Sequence, residues 1–203
     1  MRGRPAGEAE GRPVSLSVLG ISGSLRRDSH NTALLRAAAE LLPPSAELEI
    51  FDGLKRVPPY DGDDDHGLGP AGVRSLREAI GRADAVLIAT PEYNSSIPGQ
   101  LKNALDWASR PRGENALWGK PAAVVGASTG TFGAVWSQAE TRKVLAASAA
   151  RVIETDLPVG HADEAFSDDG RLEDPRLRDR YTEILDELVA LAEEAGRPQS
   201  VAA

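Results

Sequence analysis

The stretch Ala85-Val86-Leu87-Ile88-Ala89-Thr90-Pro91-Glu92-Tyr93-Asn94-Ser95-Ser96-Ile97-Pro98-Gly99-Gln100-Leu101 decides how this chain folds. Its first five residues are an unbroken apolar run, which reads as a strand buried on both faces. Pro91 stops the strand. Polar and aromatic residues then fill a loop, and Pro98 opens a helix, as proline does at a first helical position. The loop therefore stands at the carboxyl end of a strand and ahead of a helix. In open α/β sheets that is where ligands bind. Taken alone, Pro91 to Ile97 could also be a simple turn.

Working outward, the same strand-loop-helix alternation recurs. Val14–Gly20, Ala46–Phe51, Asp84–Thr90, Ala122–Gly126 and Arg151–Glu154 read as strands. Asn31–Leu42, Pro70–Arg82, Pro98–Ser109, Phe132–Ala149 and Asp174–Glu194 carry apolar residues at helical spacing. Five strands alternating with helices require a parallel sheet covered on both faces. The spacing favours an α/β doubly wound sheet of flavodoxin-like order 2-1-3-4-5 over the longer dinucleotide fold. Residues 14–195 are expected to form one domain, with a disordered arm over 1–13 and a tail over 196–203.

The chain has 203 residues, a net charge of -8 and no cysteine. The charge argues against nucleic acid or an anionic membrane as partner. The missing thiols exclude disulfides, thiolate metal sites and cysteine catalysis. Met1 to Pro13 hold no apolar segment of the secretory kind, and no apolar run approaches a membrane span. A cytoplasmic location is expected. Asp61, Asp63, Asp64 and Asp65 suggest a cation loop, but His66 and Gly72 stand where a calcium-binding loop needs glycine and glutamate. No metal is expected.

Two further loops carry chemistry. Gly20 to Thr32 gathers Ser24, Arg26, Ser29 and Asn31 just before a helix. Free amides and the positive end of that helix suit a phosphate, and Arg26 adds a charged donor. Ser29 or Asn31 could instead merely cap the helix. The loop is neither a P-loop nor G-x-G-x-x-G, which disfavours a dinucleotide held in the Rossmann manner. The loop after the fourth strand is Gly126-Ala127-Ser128-Thr129-Gly130-Thr131-Phe132-Gly133. Its glycines let backbone approach a flat ligand. It also spells G-x-S-x-G, with Asp156 and His161 following in the order of a serine hydrolase. In the expected strand order, these loops share one edge with Pro91 to Ile97. Together they suit a phosphorylated planar cofactor. Lys102, Asn103, Asp106 and Arg110 could brace the Tyr93 loop, meet another subunit, or be ordinary surface.

Three stretches together resemble the NADPH-dependent FMN reductase family of bacterial flavin, quinone, azo-dye and chromate reductases. They are G-S-L-R-x-x-S-x-N at Gly23–Asn31, P-E-Y-N-x-S-I-P-G-x-L-K-N-A-L-D-W at Pro91–Trp107, and G-A-S-x-G-x-F-G at Gly126–Gly133. The resemblance implies bound FMN, NADPH (or NADH) as hydride donor, a small-molecule electron acceptor, and a homodimer or homotetramer. It implies that Ser24, Arg26, Ser29, Asn31 and Thr32 hold the FMN phosphate. Pro91, Glu92, Tyr93, Asn94 and Ile97 would line the ribityl and ring region, with Ser128, Gly130 and Thr131 on the other side. Family members often have glycine or proline where Thr129 and Thr131 stand. The flavin carries the redox chemistry in such proteins, so no catalytic side chain is expected. The rival readings are an FMN-binding electron carrier with little NADPH turnover and a serine hydrolase using Ser128.

Overall fold

The computed structural model describes residues 15–196, so the expectations for 1–13 and for 197–203 lie outside the described residues. The strands are β1 (Leu16–Ser22), β2 (Ala46–Ile50), β3 (Ala85–Thr90), β4 (Pro121–Ala127), β5 (Arg151–Val152) and β6 (Pro158–Val159). The helices are α1 (His30–Leu41), α2 (Ala71–Arg82), α3 (Gly99–Ala108), α4 (Val135–Ala147) and α5 (Pro175–Gly196). All strand pairs are parallel, in the order β2-β1-β3-β4-β5. This is the expected doubly wound order.

The sheet alternates its side chains between two cores, as a period of two demands. Leu87 and Ala89 of β3 face α1 and α5, where they meet Leu34, Leu35, Ile184, Leu185 and Leu188. Val86 and Ile88 face the other way, against Val73, Leu76, Ile80, Leu101 and Trp107. Every residue of β3 and β4 is buried, which is why both read as continuous apolar runs rather than alternating ones. Tyr181 ties α5 to α1 by donating its hydroxyl to the Leu34 carbonyl at 3.1 Å.

Two of the differences from the sequence reading have a clear physical cause. The fifth position of the sheet is shared by two short strands. β5 pairs with Pro121 and Ala122 at the start of β4, and β6 pairs with Gly126 and Ala127 at its end. The polar residues Glu154, Thr155 and Asp156 carry the chain away between them. Helix α4 begins at Val135 rather than Phe132, because Gly133 and Ala134 lie in the left-handed region with φ of 55° and 61°. A Cβ on Gly133 would stand 2.4 Å from the Pro158 carbonyl carbon, so this turn and β6 fit only around a glycine.

Between β2 and α2 lies the long segment rich in proline and aspartate. It holds two 3-10 turns, Leu54–Arg56 and Gly62–Asp64, and α3 anchors it. Gln100 donates to the Leu54 and Val57 carbonyls, both at 2.8 Å. Asn103 donates to Pro58 O at 2.8 Å and accepts from the Tyr60 amide at 2.7 Å. Trp107 is fully buried and donates its indole N–H to Pro58 O at 2.9 Å. Asn103 thus braces this segment rather than the Tyr93 loop, and Lys102 pairs with Asp106 one turn along at 2.7 Å. Two of the aspartate side chains have partners. Asp61 caps the second 3-10 turn through the Asp63 amide, and Asp65 pairs with Arg77 at 2.9 Å.

Candidate functional site

The carboxyl ends of β1, β3 and β4 bring three loops to one edge of the sheet. A cavity of about 130 Å³ lies among them. The first loop contributes Ser24, Arg26, Ser29, His30 and Asn31. The second contributes Pro91, Glu92 and Tyr93, and the third Ala127, Ser128 and Thr129. A second hollow of about 270 Å³ adjoins it across Arg26 and Tyr93 and reaches Pro98, Gly99 and Gln100.

Two of the helix N-termini at this edge, those of α1 and α4, are treated differently. Helix α4 has Ala134 at its cap position and no capping side chain of its own. Glu92 supplies the cap from β3's loop, its carboxylate accepting from the Trp136 and Ser137 amides, both at 3.1 Å. A negative group already satisfies that helix end. Helix α1 is capped by Ser29, whose Oγ accepts only from the Thr32 amide, at 3.3 Å. His30 and Asn31 occupy its first two positions, where an amide has no intrahelical acceptor. Their N–H groups have no hydrogen-bond partner among the described residues, and both residues line the cavity together with Arg26, which makes no ion pair among the described residues. Free amides, hydroxyls and one cation form a donor set for a dianion.

Asn31 does more than line the cavity. It is buried, and its side-chain amide donates to Ala127 O at 2.9 Å and accepts from Ala127 N at 3.0 Å. The reason lies in the register. Thr90 of β3 stands opposite Gly126 as the last pair of the ladder, and Pro91 follows the end of the strand. The Asn31 side chain takes the place of the missing strand and joins the first loop to the third.

The second loop is a tight hairpin. Tyr93 and Ser96 exchange both backbone hydrogen bonds at 3.2 Å, and Asn94 and Ser95 between them have φ of 54° and 59°. Two central residues at positive φ define a type I′ turn, which asparagine tolerates and serine does not favour. The turn holds the Tyr93 side chain half exposed at the cavity mouth.

Not every expected residue reaches the cavity. Thr32 turns its hydroxyl to Ser22 Oγ at 2.9 Å. Ile97 faces a groove between α3 and α4 instead. Asn94 forms the hairpin tip, and Gly130 and Thr131 lie exposed beyond Thr129, which lines the cavity in their stead. A Cβ on Gly130 would meet only Ser128 Oγ, at 3.6 Å, so that glycine is not demanded by the fold. Glu140 and Ser22, missed in the sequence, support the loops. Neither lies in a motif, and only the tertiary contacts reveal them.

The hydrolase constellation does not assemble. Ser128 Oγ accepts from the Gly130 amide at 3.2 Å. The Asp156 carboxylate faces Arg142 and Arg180 at 4.0 and 3.8 Å. His161 makes no side-chain hydrogen bond among the described residues. No base is oriented toward the serine.

The sequence of residues 16–164 matches the family model described as NADPH-dependent FMN reductase. The chain belongs to this family. An NAD(P)H-dependent FMN reductase of Pseudomonas aeruginosa is 43% identical over 175 residues, covering 85% of this chain and 93% of that protein. A quinone reductase of Pseudomonas putida is 40% identical over 166 residues, 78% of this chain and 85% of that one. Among solved structures, FerB of Paracoccus denitrificans, a flavoenzyme NAD(P)H:(acceptor) oxidoreductase, superposes with a TM-score of 0.77. It is 35% identical, and the match covers 90% of this chain and all of that one. For an FMN reductase, the donor set on the cavity is chemically apt: amides and a guanidinium for a phosphate, an aromatic and small residues for a flat ring. Among the described residues, no helix is long and apolar enough to cross a membrane.

Proposed function

We propose that this chain is an NAD(P)H-dependent FMN oxidoreductase that reduces a small acceptor such as a quinone or flavin, with azo compounds and chromate as further candidates. The observation that carries this reading is the contrast between the N-termini of α4 and α1. Glu92 closes the N-terminus of α4, while the His30 and Asn31 amides of α1 have no partner among the described residues and both residues line the cavity with Arg26. Family membership and relatives named for flavin and quinone reduction support it.

Bound FMN would supply the hydride-accepting and electron-donating chemistry. The chain's residues bind and orient. Ser24, Arg26 and the first amides of α1 would hold the phosphate, with Ser29 fixing the turn that aims them. Asn31 locks the first loop to the third. Tyr93 and Pro91 on the hairpin side and Ser128 and Thr129 opposite would flank the ribityl chain and ring. Thr32, Asn94, Ile97, Gly130 and Thr131 would act through the loops, since they lie off the cavity. No side chain is assigned a proton-transfer role.

The test is an anaerobic visible spectrum of the purified protein with FMN, before and after NADPH or NADH. Bleaching of the flavin band faster than without protein is the expected result. Bound flavin that neither nicotinamide bleaches would point to an electron carrier. Failure to bind FMN would overturn both flavin readings. Ser128→Ala should weaken FMN binding by no more than a few-fold; loss of an esterase activity in that variant would instead support the hydrolase.

Two features complete the proposal. The chain works in the cytoplasm, and it forms a homodimer or homotetramer. A groove of about 650 Å³ between α3 and α4, lined by Ile97, Asn103 and Val144, offers a face for a second copy. Light scattering on the eluted protein should give at least twice the 21.5 kDa chain mass; a monomer would refute the assembly.

A further inference from the structure

Helix α4 and the hairpin loop exchange two carboxylates. Glu92, at the start of the loop, binds the first amides of α4. In return Glu140, on the second turn of α4, binds the end of the loop. Its Oε2 accepts from the Ser96 hydroxyl at 2.5 Å and from the Ile97 amide at 3.1 Å. The hairpin tip between these anchors is the costly part of the loop, since Ser95 carries a Cβ at φ 59°. Ser96 is also the residue whose backbone closes the turn on Tyr93. The Glu140 bonds therefore hold the stem of the turn that places Tyr93 at the cavity mouth.

We propose that Glu140 is a positioning residue for the flavin: by holding Ser96 and Ile97 it fixes the height and tilt of the Tyr93–Asn94 hairpin over the cavity. This rests on reading the cavity as the flavin site. The Ser96 hydroxyl, then the Ile97 amide, hold the Glu140 carboxyl below the usual carboxylate range, with Lys143 adding to the same direction. Lys102 and Asp106 of α3 line the same groove and already pair with each other, leaving Glu140 to the loop. Charge-assisted bonds of this kind are the stronger class. Glu140 is exposed on its helix, so replacing it should leave the fold intact.

The test compares wild type, Glu140→Ala, Glu140→Gln and Ser96→Ala in the full chain by two readouts. The first is amide hydrogen exchange of residues 93–97 without flavin. The second is FMN affinity together with the visible spectrum of the bound flavin. In Glu140→Ala the Tyr93, Ser96 and Ile97 amides should exchange tenfold or more faster. FMN should bind about tenfold more weakly and its band should shift. Glu140→Gln keeps an acceptor and should recover most of both effects. Ser96→Ala should share part of the loss, and the double variant should fall short of the sum, as coupled neighbours do. Faster exchange with unchanged FMN affinity and spectrum would overturn the positioning role, as would an unchanged Glu140→Ala. A wild-type chain that binds no FMN overturns the flavin reading and this proposal with it. Binding by wild type that Glu140→Ala leaves untouched overturns only this proposal.

Discussion

Replacing Asn31 with alanine should destabilise the protein by about 2–5 kcal/mol, because it strands two buried backbone groups at once. Ala127 is buried, and Asn31 is the partner of both its N–H and its C=O. The paired rungs of β3 and β4 end at Thr90 and Gly126, one residue short of Ala127. Each unsatisfied group costs roughly 1–3 kcal/mol, and a small cavity adds to that. For a domain of this size the melting temperature should fall by roughly 5–15 °C, as circular dichroism would read. Asn31→Asp is the informative companion. Its carboxylate can still accept from the Ala127 amide but cannot donate to the carbonyl, so most of the loss should remain. FMN affinity should fall as well, because the same side chain fixes the first loop against the third. Unchanged melting in both variants would mean that the end of β4 finds other partners.

The sheet order was legible because β3 and β4 bury both faces and announce it as unbroken apolar runs. The position of the site followed from chain order alone, since parallel strands put every strand-to-helix loop on one edge. The roles of particular residues were less legible. Asn31 looks like a helix-start residue within its own segment, yet its partner lies 96 positions away. Glu92 sits in the most recognisable motif of the chain and is committed to the N-terminus of α4, 44 positions on. Glu140 stands on a helix with no motif at all. Such contacts have no period and no spacing, so nothing in the local pattern marks them. β6 was missed for a related reason. A two-residue strand that begins with a proline carries no alternation, and only the overhanging end of β4 calls for a partner there. The left-handed pair Gly133 and Ala134 was hidden because only one of the two is a glycine.

Arg26→Ala should weaken FMN binding by about 10- to 100-fold while leaving the melting temperature of the flavin-free protein unchanged. A hydrogen bond to a charged group contributes roughly 1.5–3 kcal/mol, which is the range of that loss. The arginine is exposed and forms no ion pair among the described residues, so its removal breaks nothing in the fold. Riboflavin separates a phosphate contact from a ring contact. It has the same ring and ribityl chain but no phosphate, so its affinity should be the same for wild type and Arg26→Ala. Arg26→Lys keeps the charge but not the planar fork, and should recover only part of the loss. The wild-type preference for FMN over riboflavin should also shrink with added salt, because an exposed charge pair is screened. Equal losses for riboflavin and FMN would place Arg26 against the ring instead, and the phosphate would then rest on the α1 amides and the loop serines alone.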